Sequence, residues 1–424
     1  MNTTRHMTRS VGLTLLLGAS LAACGQASPS RATAVPSDAG AAPSDGPSGG
    51  PSATGLAVAP SPAPTKAVKP TPTPRYRPVR WSTKPHVIFD SGCSSIVATI
   101  DDASTFHVAG VCSGGIGYAS STDGETWKTS TFAPPADIFE VDPQLAADGA
   151  TLYLGYTRLR PVEQDTCSGG FVNEDPAGIY YRTRTLPSGR WSKPTRFRGD
   201  GDHLQSFRVI DGVIHATFQG GRGNGVVSYA SSTTDDIAIP GAEATSLRVG
   251  DDGRPRIAFT GGGSVGYAVV TGNGRLKTTT IFSADDVEMG SPVLVLGADD
   301  RAFVSWAAWP RPGCEAPEPT HDGTWFATDV EGTWAVKRLS KDIGTASLVI
   351  DVATGRLHAT YNDRRGVRYV TRAADGIWSG GRPDVPDGFE SLVLRRDLAS
   401  GRLLLVGSKA DDDDVTRIYA LAAS

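Results

Sequence analysis

Excess positive charge is missing from this 424-residue chain: Lys and Arg number 41 against 45 Asp and Glu, a formal charge of -4 at pH 7. Without a basic bias the main electrostatic drive onto nucleic acid is absent, and no nucleic-acid partner is expected. Long apolar runs are missing too. After the N-terminal stretch no 18 consecutive apolar residues occur, so no later membrane-spanning helix is expected. Cysteine is sparse, at five residues, and no two stand in a Cys-x-x-Cys spacing, so a structural zinc site is not expected. No other metal and no cofactor is read from the sequence.

What the chain does have is glycine, 50 residues of it, and a phrase that returns seven times. The phrase is an apolar strand, then Gly, an apolar residue and an aromatic, then a turn and a Trp. Its best copies are Gly115-Ile116-Gly117-Tyr118, Gly178-Ile179-Tyr180-Tyr181 and Gly366-Val367-Arg368-Tyr369; looser copies end at Tyr229, Tyr267, Phe326 and Tyr419. From Tyr118 to Tyr419 is 301 residues over six intervals. A period of about 50 residues with about four short strands per unit is the pattern of a β-propeller, here all-β and seven-bladed over residues 76–424.

Each unit reads as four strands, A to D. Strand A is an apolar run such as Ser347-Leu348-Val349-Ile350. Strand B is typified by Phe106-His107-Val108-Ala109 and Leu357-His358-Ala359-Thr360. Strand C carries the Tyr phrase, and strand D a Trp after a Gly turn: Trp127, Trp191, Trp334 and Trp378. These Trp are expected between neighbouring sheets. The last unit has no strand D, but Arg80-Trp81-Ser82-Thr83-Lys84-Pro85 echoes Arg190-Trp191-Ser192-Lys193-Pro194. The N-terminal strand is therefore expected to complete the last blade and leave no open seam. His107, His215 and His358 recur at one strand-B position, which reads as a structural slot.

The N-terminus reads as an export signal over residues 1–23: Arg5 and Arg9, an apolar stretch from Val11 to Ala19, then Leu21-Ala22-Ala23-Cys24-Gly25. The first four residues of that run, Leu21 to Cys24, resemble the lipobox of bacterial lipoproteins. The resemblance implies cleavage before Cys24, lipid on its thiol, and a place on the outer face of the cytoplasmic membrane. Residues 24–75 are Pro, Ser, Ala, Gly and Thr with few large apolar side chains, a composition that does not fold. As a coil this stalk would span roughly 40 Å and hold a monomeric propeller off the membrane.

With Cys24 lipidated, Cys93, Cys112, Cys167 and Cys314 remain, an even number suited to two disulfides. Three pairings are open. Cys93 at the start of strand A and Cys112 at the end of strand B lie at one end of one hairpin, which favours that pair. It leaves Cys167 with Cys314, in the long B-to-C loops 158–177 and 310–322.

B-to-C and D-to-A loops share one face of a propeller, where ligand sites gather around the channel. Arginines follow strand B in several units: Arg158, Arg160, Arg222, Arg311, Arg364 and Arg365. Polar residues precede strand A: Asp90, Asp142, His203, Glu243 and Glu390. Trp309 and His321 stand in the fifth unit. Arg clusters grip carboxylates by paired, charge-assisted bonds, so this face is a candidate site for an acidic glycan. The acidic turn Asp411-Asp412-Asp413-Asp414 lacks the spaced ligands of a calcium loop and reads as a solvated turn.

The turn Ser120-Ser121-Thr122-Asp123-Gly124-Glu125-Thr126-Trp127 resembles the Asp-box of sialidase-like propellers, with Asp and Gly adjacent and so one residue short. The family implies an arginine triad, a Tyr nucleophile paired with Glu, and an Asp acid/base; its Phe/Tyr-Arg-Ile-Pro hallmark is not found here. The expectation is a lipid-anchored surface module binding glycan or protein through its loop face. The alternatives are a sialidase-like glycoside hydrolase or polysaccharide lyase on the same face, and a structural lipoprotein docking other envelope proteins.

Overall fold

The structure is a computed structural model, and it describes residues 79–82, 84–90, 92–161, 174–199, 201–220, 226–311, 321–330, 332–344, 346–381, 388–410 and 415–423. All lie in the unit Arg75–Ser424. The expected signal, Cys24 and stalk, together with Cys167, Arg222, Cys314 and the Asp411–Asp414 turn, fall outside the described residues.

Seven antiparallel sheets form the seven blades of a propeller. Six of them run A-B-C-D in chain order, and the seventh takes its outer strand from His86–Phe89. The innermost A strands are Cys93–Ile100, Phe139–Asp148, Gly201–Ile210, Ala244–Val249, the split pair Val287–Met289 and Val293–Leu296, Ser347–Asp351 and Glu390–Arg396. Each A strand touches the A strand of the blade before and after it, and the last touches the first, so the ring is closed.

Strand A is the edge of its sheet, and its outer N–H groups need acceptors. Serine supplies them from the neighbouring blade. Ser206 Oγ accepts the Leu247 N–H at 3.2 Å, Ser246 Oγ that of Leu294 at 3.1 Å, and Ser347 Oγ that of Leu394 at 2.9 Å. These three bonds occupy one register position, between blades three and four, four and five, and six and seven.

The core is divided into seven apolar clusters, one between each pair of adjacent sheets. The strand-D Trp of one blade packs edge-on against aromatics of the blade before. Trp191 meets Tyr118 at 5.2 Å, Trp334 meets Tyr267 at 5.2 Å, and Trp378 meets Phe326 at 5.1 Å. Trp81 meets Tyr369 at 5.5 Å in the same way, so it serves as the missing Trp of the last blade. The closing strand does complete that blade, but the ladder lies further along than expected. His86–Phe89 pairs with Thr416–Ala423, while Trp81 makes a single bridge to Ala423. Pro85 between them has no N–H to donate, which breaks the ladder there.

The recurrent Gly that opens strand C has a steric reason. Gly115, Gly178, Gly323 and Gly366 sit at φ +117, +111, +116 and +102°. In the first three, a Cβ would run into the carbonyl of Phe132, Arg198 or Ser340 on strand D. Only glycine meets both demands. The recurrent histidines are likewise internal: His107, His215 and His358 each place Nδ1 on the hydroxyl of a strand-C Tyr, at 2.8, 2.8 and 2.6 Å. Burial lowers the pKa of all three, that of His358 to about 4.

The turn at Asp123 is held by its carboxylate, which accepts the N–H groups of Thr126 at 2.7 Å and Glu125 at 2.8 Å. Those bonds hold its pKa well below the carboxylate range. It lies where strand C turns to strand D, away from the B-to-C loops.

Candidate functional site

The B-to-C loops and the starts of the A strands share one face. The chain forms the Cys93–Cys112 disulfide there, between facing residues of the first hairpin. In the second blade the hairpin is longer than the sequence suggested. Strand B continues to Pro161 and strand C begins at Glu174, so much of the expected loop 158–177 is paired backbone.

That extension changes the role of Arg158. It lies inside strand B, not beyond it, and turns into the sheet. Its Nε and Nη2 donate to Glu140 Oε1 at 3.1 and 2.8 Å, and its guanidinium lies 4.4 Å from the Tyr180 ring centre. The Glu140 side chain is fully buried. Burial alone would lower the Arg158 pKa; the Glu140 hydrogen bond, with neighbouring Tyr156 and Glu140 charge, raises it instead. Glu140 has no signature in the sequence, because a Glu opening a strand carries no pattern; only the ladder, which sets it opposite Arg158, identifies it.

The other described candidate arginines do not converge either. Arg364 pairs with Asp342 at 2.8 Å in solvent, a contact of small energetic weight. Arg160 is exposed on strand B of the second blade, Arg311 is exposed after strand B of the fifth with Nη2 near Gly263 of the fourth, and the Arg365 N–H donates to Asp363.

What the structure does gather is an arc of polar side chains at the starts of the A strands. In blades seven, one and two, strand A carries the same bulge, and its residue has positive φ without being Gly: Ser391 at 45°, Ser95 at 51° and Asp142 at 52°. A left-handed non-Gly residue costs about 1 kcal/mol or more, and bulges re-aim side chains. Ser391, Ser95, Ser94 and Glu390 are exposed. Asp142 Oδ2 accepts from His203 Nδ1 of the third blade at 2.8 Å, and both side chains remain open to solvent. Gln205 Nε2 donates to the Glu243 carbonyl at 2.8 Å, carrying the arc into blade four. In blade five, exposed Trp309 donates from Nε1 to Glu288 Oε2 at 3.0 Å, and His321 Nδ1 meets Asp286 at 2.8 Å. Asp90 is exposed after the closing strand.

Among the described residues the mouth therefore gathers carboxylates, hydroxyls, two His–Asp pairs and a Trp, while its arginines stay apart from one another. Such groups accept and donate hydrogen bonds to polyhydroxyl ligands, and His203 with Asp142 forms a base oriented by a carboxylate.

No protein-family model matches the chain, and no curated protein matches it. Solved structures do. An ulvan lyase of a polysaccharide lyase family, bound to a GlcA–Rha3S glycan, superposes with TM-score 0.54 at 10% identity, over 80% of this chain and 95% of that one. Virginiamycin B lyase from Staphylococcus aureus gives 0.53 at 11% identity, over 80% and 98%. A Trypanosoma rangeli sialidase gives 0.44 at 10% identity, over 78% of this chain and 55% of that one. At these identities the likeness is one of fold.

Proposed function

We propose that this propeller is a surface module that binds a glycan at the mouth of its channel, on the face bearing the B-to-C loops. The observation that carries the reading is the bulge repeated in three consecutive A strands. Strain held at Ser391, Ser95 and Asp142 turns polar side chains to the mouth. Trp309 adds an apolar plate of the kind that sugar faces stack on, held by Glu288. The carboxylate lining favours neutral, hydroxyl-rich sugars over the acidic ones expected from the arginines.

Binding of the full chain to a panel of neutral and acidic glycans tests this. A retained glycan should lose roughly tenfold or more in affinity with Asp142→Asn and with Trp309→Ala, about 1.4 kcal/mol each. Affinity untouched by both would refute the placement.

His203 with Asp142 favours a second reading, a polysaccharide lyase. His203 would take the proton next to a uronate carboxylate, the electrons would form a C=C bond, and the glycosidic oxygen would leave. An unsaturated product seen by ultraviolet absorbance, and lost in His203→Ala, would support it.

We also propose that Cys24 carries lipid and tethers the propeller to the outer face of the membrane. Labelling with a palmitate analogue should disappear in Cys24→Ala. Co-purification of an envelope protein with the tethered chain, and of no glycan, would favour the assembly role instead.

A further inference from the structure

The central channel contains three arginines that no carboxylate answers among the described residues. Arg208, Arg248 and Arg395 stand on the A strands of blades three, four and seven, facing His215, Arg256 and Leu404 of their own B strands. Those three strand-B residues are equivalent positions, so the arginines occupy one layer of the channel. The other four blades fill that slot with Thr, Ala or Val.

Each guanidinium is steadied by backbone. Nη1 donates to the preceding carbonyl: Phe207 at 2.6 Å, Leu247 at 2.8 Å and Leu394 at 2.8 Å. Arg395 Nε also donates to the Ala98 carbonyl at 2.5 Å. Among the described residues none of the three has an acidic partner. The side chains are half-buried because they face the channel and not bulk water. They line a cavity of about 240 Å³ with Thr99, Ala146 and Ile210. Ile210 is 43% exposed, so the cavity lies towards the face opposite the B-to-C loops.

Enclosure lowers the pKa of all three. Burial, then the charge of Arg395, brings Arg208 to about 10, and burial brings Arg395 to about 10. Burial is also the first cause for Arg248, followed by the charges of Arg208 and Arg395. Guanidinium is the side chain least able to give up its proton, so like charges face one another in an enclosed space. Filling the channel does not need them, as the Ala and Val of other blades demonstrate. Each guanidinium has five N–H donors, and no more than two are used by backbone here.

We propose that the channel is a binding site for a small oxyanion carrying two or more negative charges, held by the guanidinium groups of Arg208, Arg248 and Arg395. Forked guanidinium groups match the paired oxygens of sulfate, phosphate and carboxylate. A volume near eight waters, at about 30 Å³ each, admits such an ion with part of its hydration. This site is separate from the loop face and does not depend on the glycan reading.

The test is calorimetric titration of the full chain with sulfate, phosphate and citrate, with chloride at matched ionic strength as control. One saturable site is expected for the divalent or trivalent ions and none for chloride. Arg208→Gln and Arg248→Gln should each weaken it roughly tenfold or more, while Arg364→Gln, on the exposed pair with Asp342, should leave it unchanged. A preference for sulfate or phosphate would identify a tetrahedral ligand, and a preference for citrate a carboxylate; both support the site. Without anion, Arg248→Gln should melt higher than the wild type, because repulsion is relieved, which also verifies folding. Should the variants not fold, crystals of the wild type soaked in selenate decide: anomalous density between the three guanidinium groups supports the site, and its absence overturns it. Binding equal for chloride and sulfate, or unaltered in both variants, overturns it as well.

Discussion

Replacing Arg158 distinguishes a ligand-reading arginine from a structural one. Its partner Glu140 is completely enclosed, and Glu140 Oε2 has no hydrogen-bond partner. Arg182 is the next cation, with Nη2 at 3.8 Å. Removing Arg158 thus leaves a buried carboxylate with one distant counter-charge. Loss of one partner of a buried pair costs about 3–5 kcal/mol. The 14% exposure of the Arg158 side chain and the help of Arg182 place the effect at the lower end, about 3 kcal/mol. With an unfolding entropy of about 2.1 cal/mol/K per residue, a propeller of this size should melt roughly 4 °C lower. Arg158→Lys should recover only part of this, since an ammonium lacks the fork and stacks less well on Tyr180. The decisive assay is a double-mutant cycle by thermal and urea unfolding, with Arg158→Met, Glu140→Gln and both together. Removing both groups should cost clearly less than the sum of the single losses, by about 1–3 kcal/mol. Additive losses, or an Arg158→Met protein as stable as the wild type, would refute the pairing and restore Arg158 as a ligand group.

Two further outcomes concern stability alone. His358 has its folded pKa lowered to about 4, by burial first and then by Arg396 and Arg356. The unfolded chain therefore binds more protons between its own pKa near 6.5 and about 4. Stability should fall as pH drops through that window, by up to about 3 kcal/mol at about 1.4 kcal/mol per pKa unit. His358→Gln should flatten the fall in urea titrations between pH 7 and 4, and an unchanged slope would count against the assignment. Trp81→Ala removes the closing segment's contact with Tyr369, which should cost about 2–4 kcal/mol. It should also raise amide exchange along Thr416–Ala423, where the closing strand pairs; protection as in the wild type would mean that His86–Phe89 closes the ring unaided.

The architecture was legible because a propeller is periodic, and each repeated residue answers a local demand met once per blade. Gly115 and Gly178 avoid a clash at the start of strand C, Trp191 and Trp378 fill the wedge between sheets, and His107 and His358 reach a Tyr hydroxyl. Trp81 could be matched to Trp191 across the sequence for the same reason. The Cys93–Cys112 pair was legible because antiparallel register places the two ends of one hairpin together. The site was much less so. Arg158 looked like a loop residue until the extended ladder of blade two drew it against Glu140. Asp142 is legible as a polar residue near strand A, but its bulge, its positive φ and its bond to His203 of another blade have no signature in residue order.

By itself the amino-acid order determined the all-β class, the seven repeats and the closure of the last blade by the first strand. The first two depend on periodicity and on contacts between near neighbours in the chain, and the closure is read from the echo of Trp191 in Trp81. Tertiary structure alone decided which side chains meet around the channel. Arg208, Arg248 and Arg395 lie up to 187 positions apart in the chain, each in an unremarkable strand. Only ring closure, which places the same register position of seven blades around one axis, makes them a cluster.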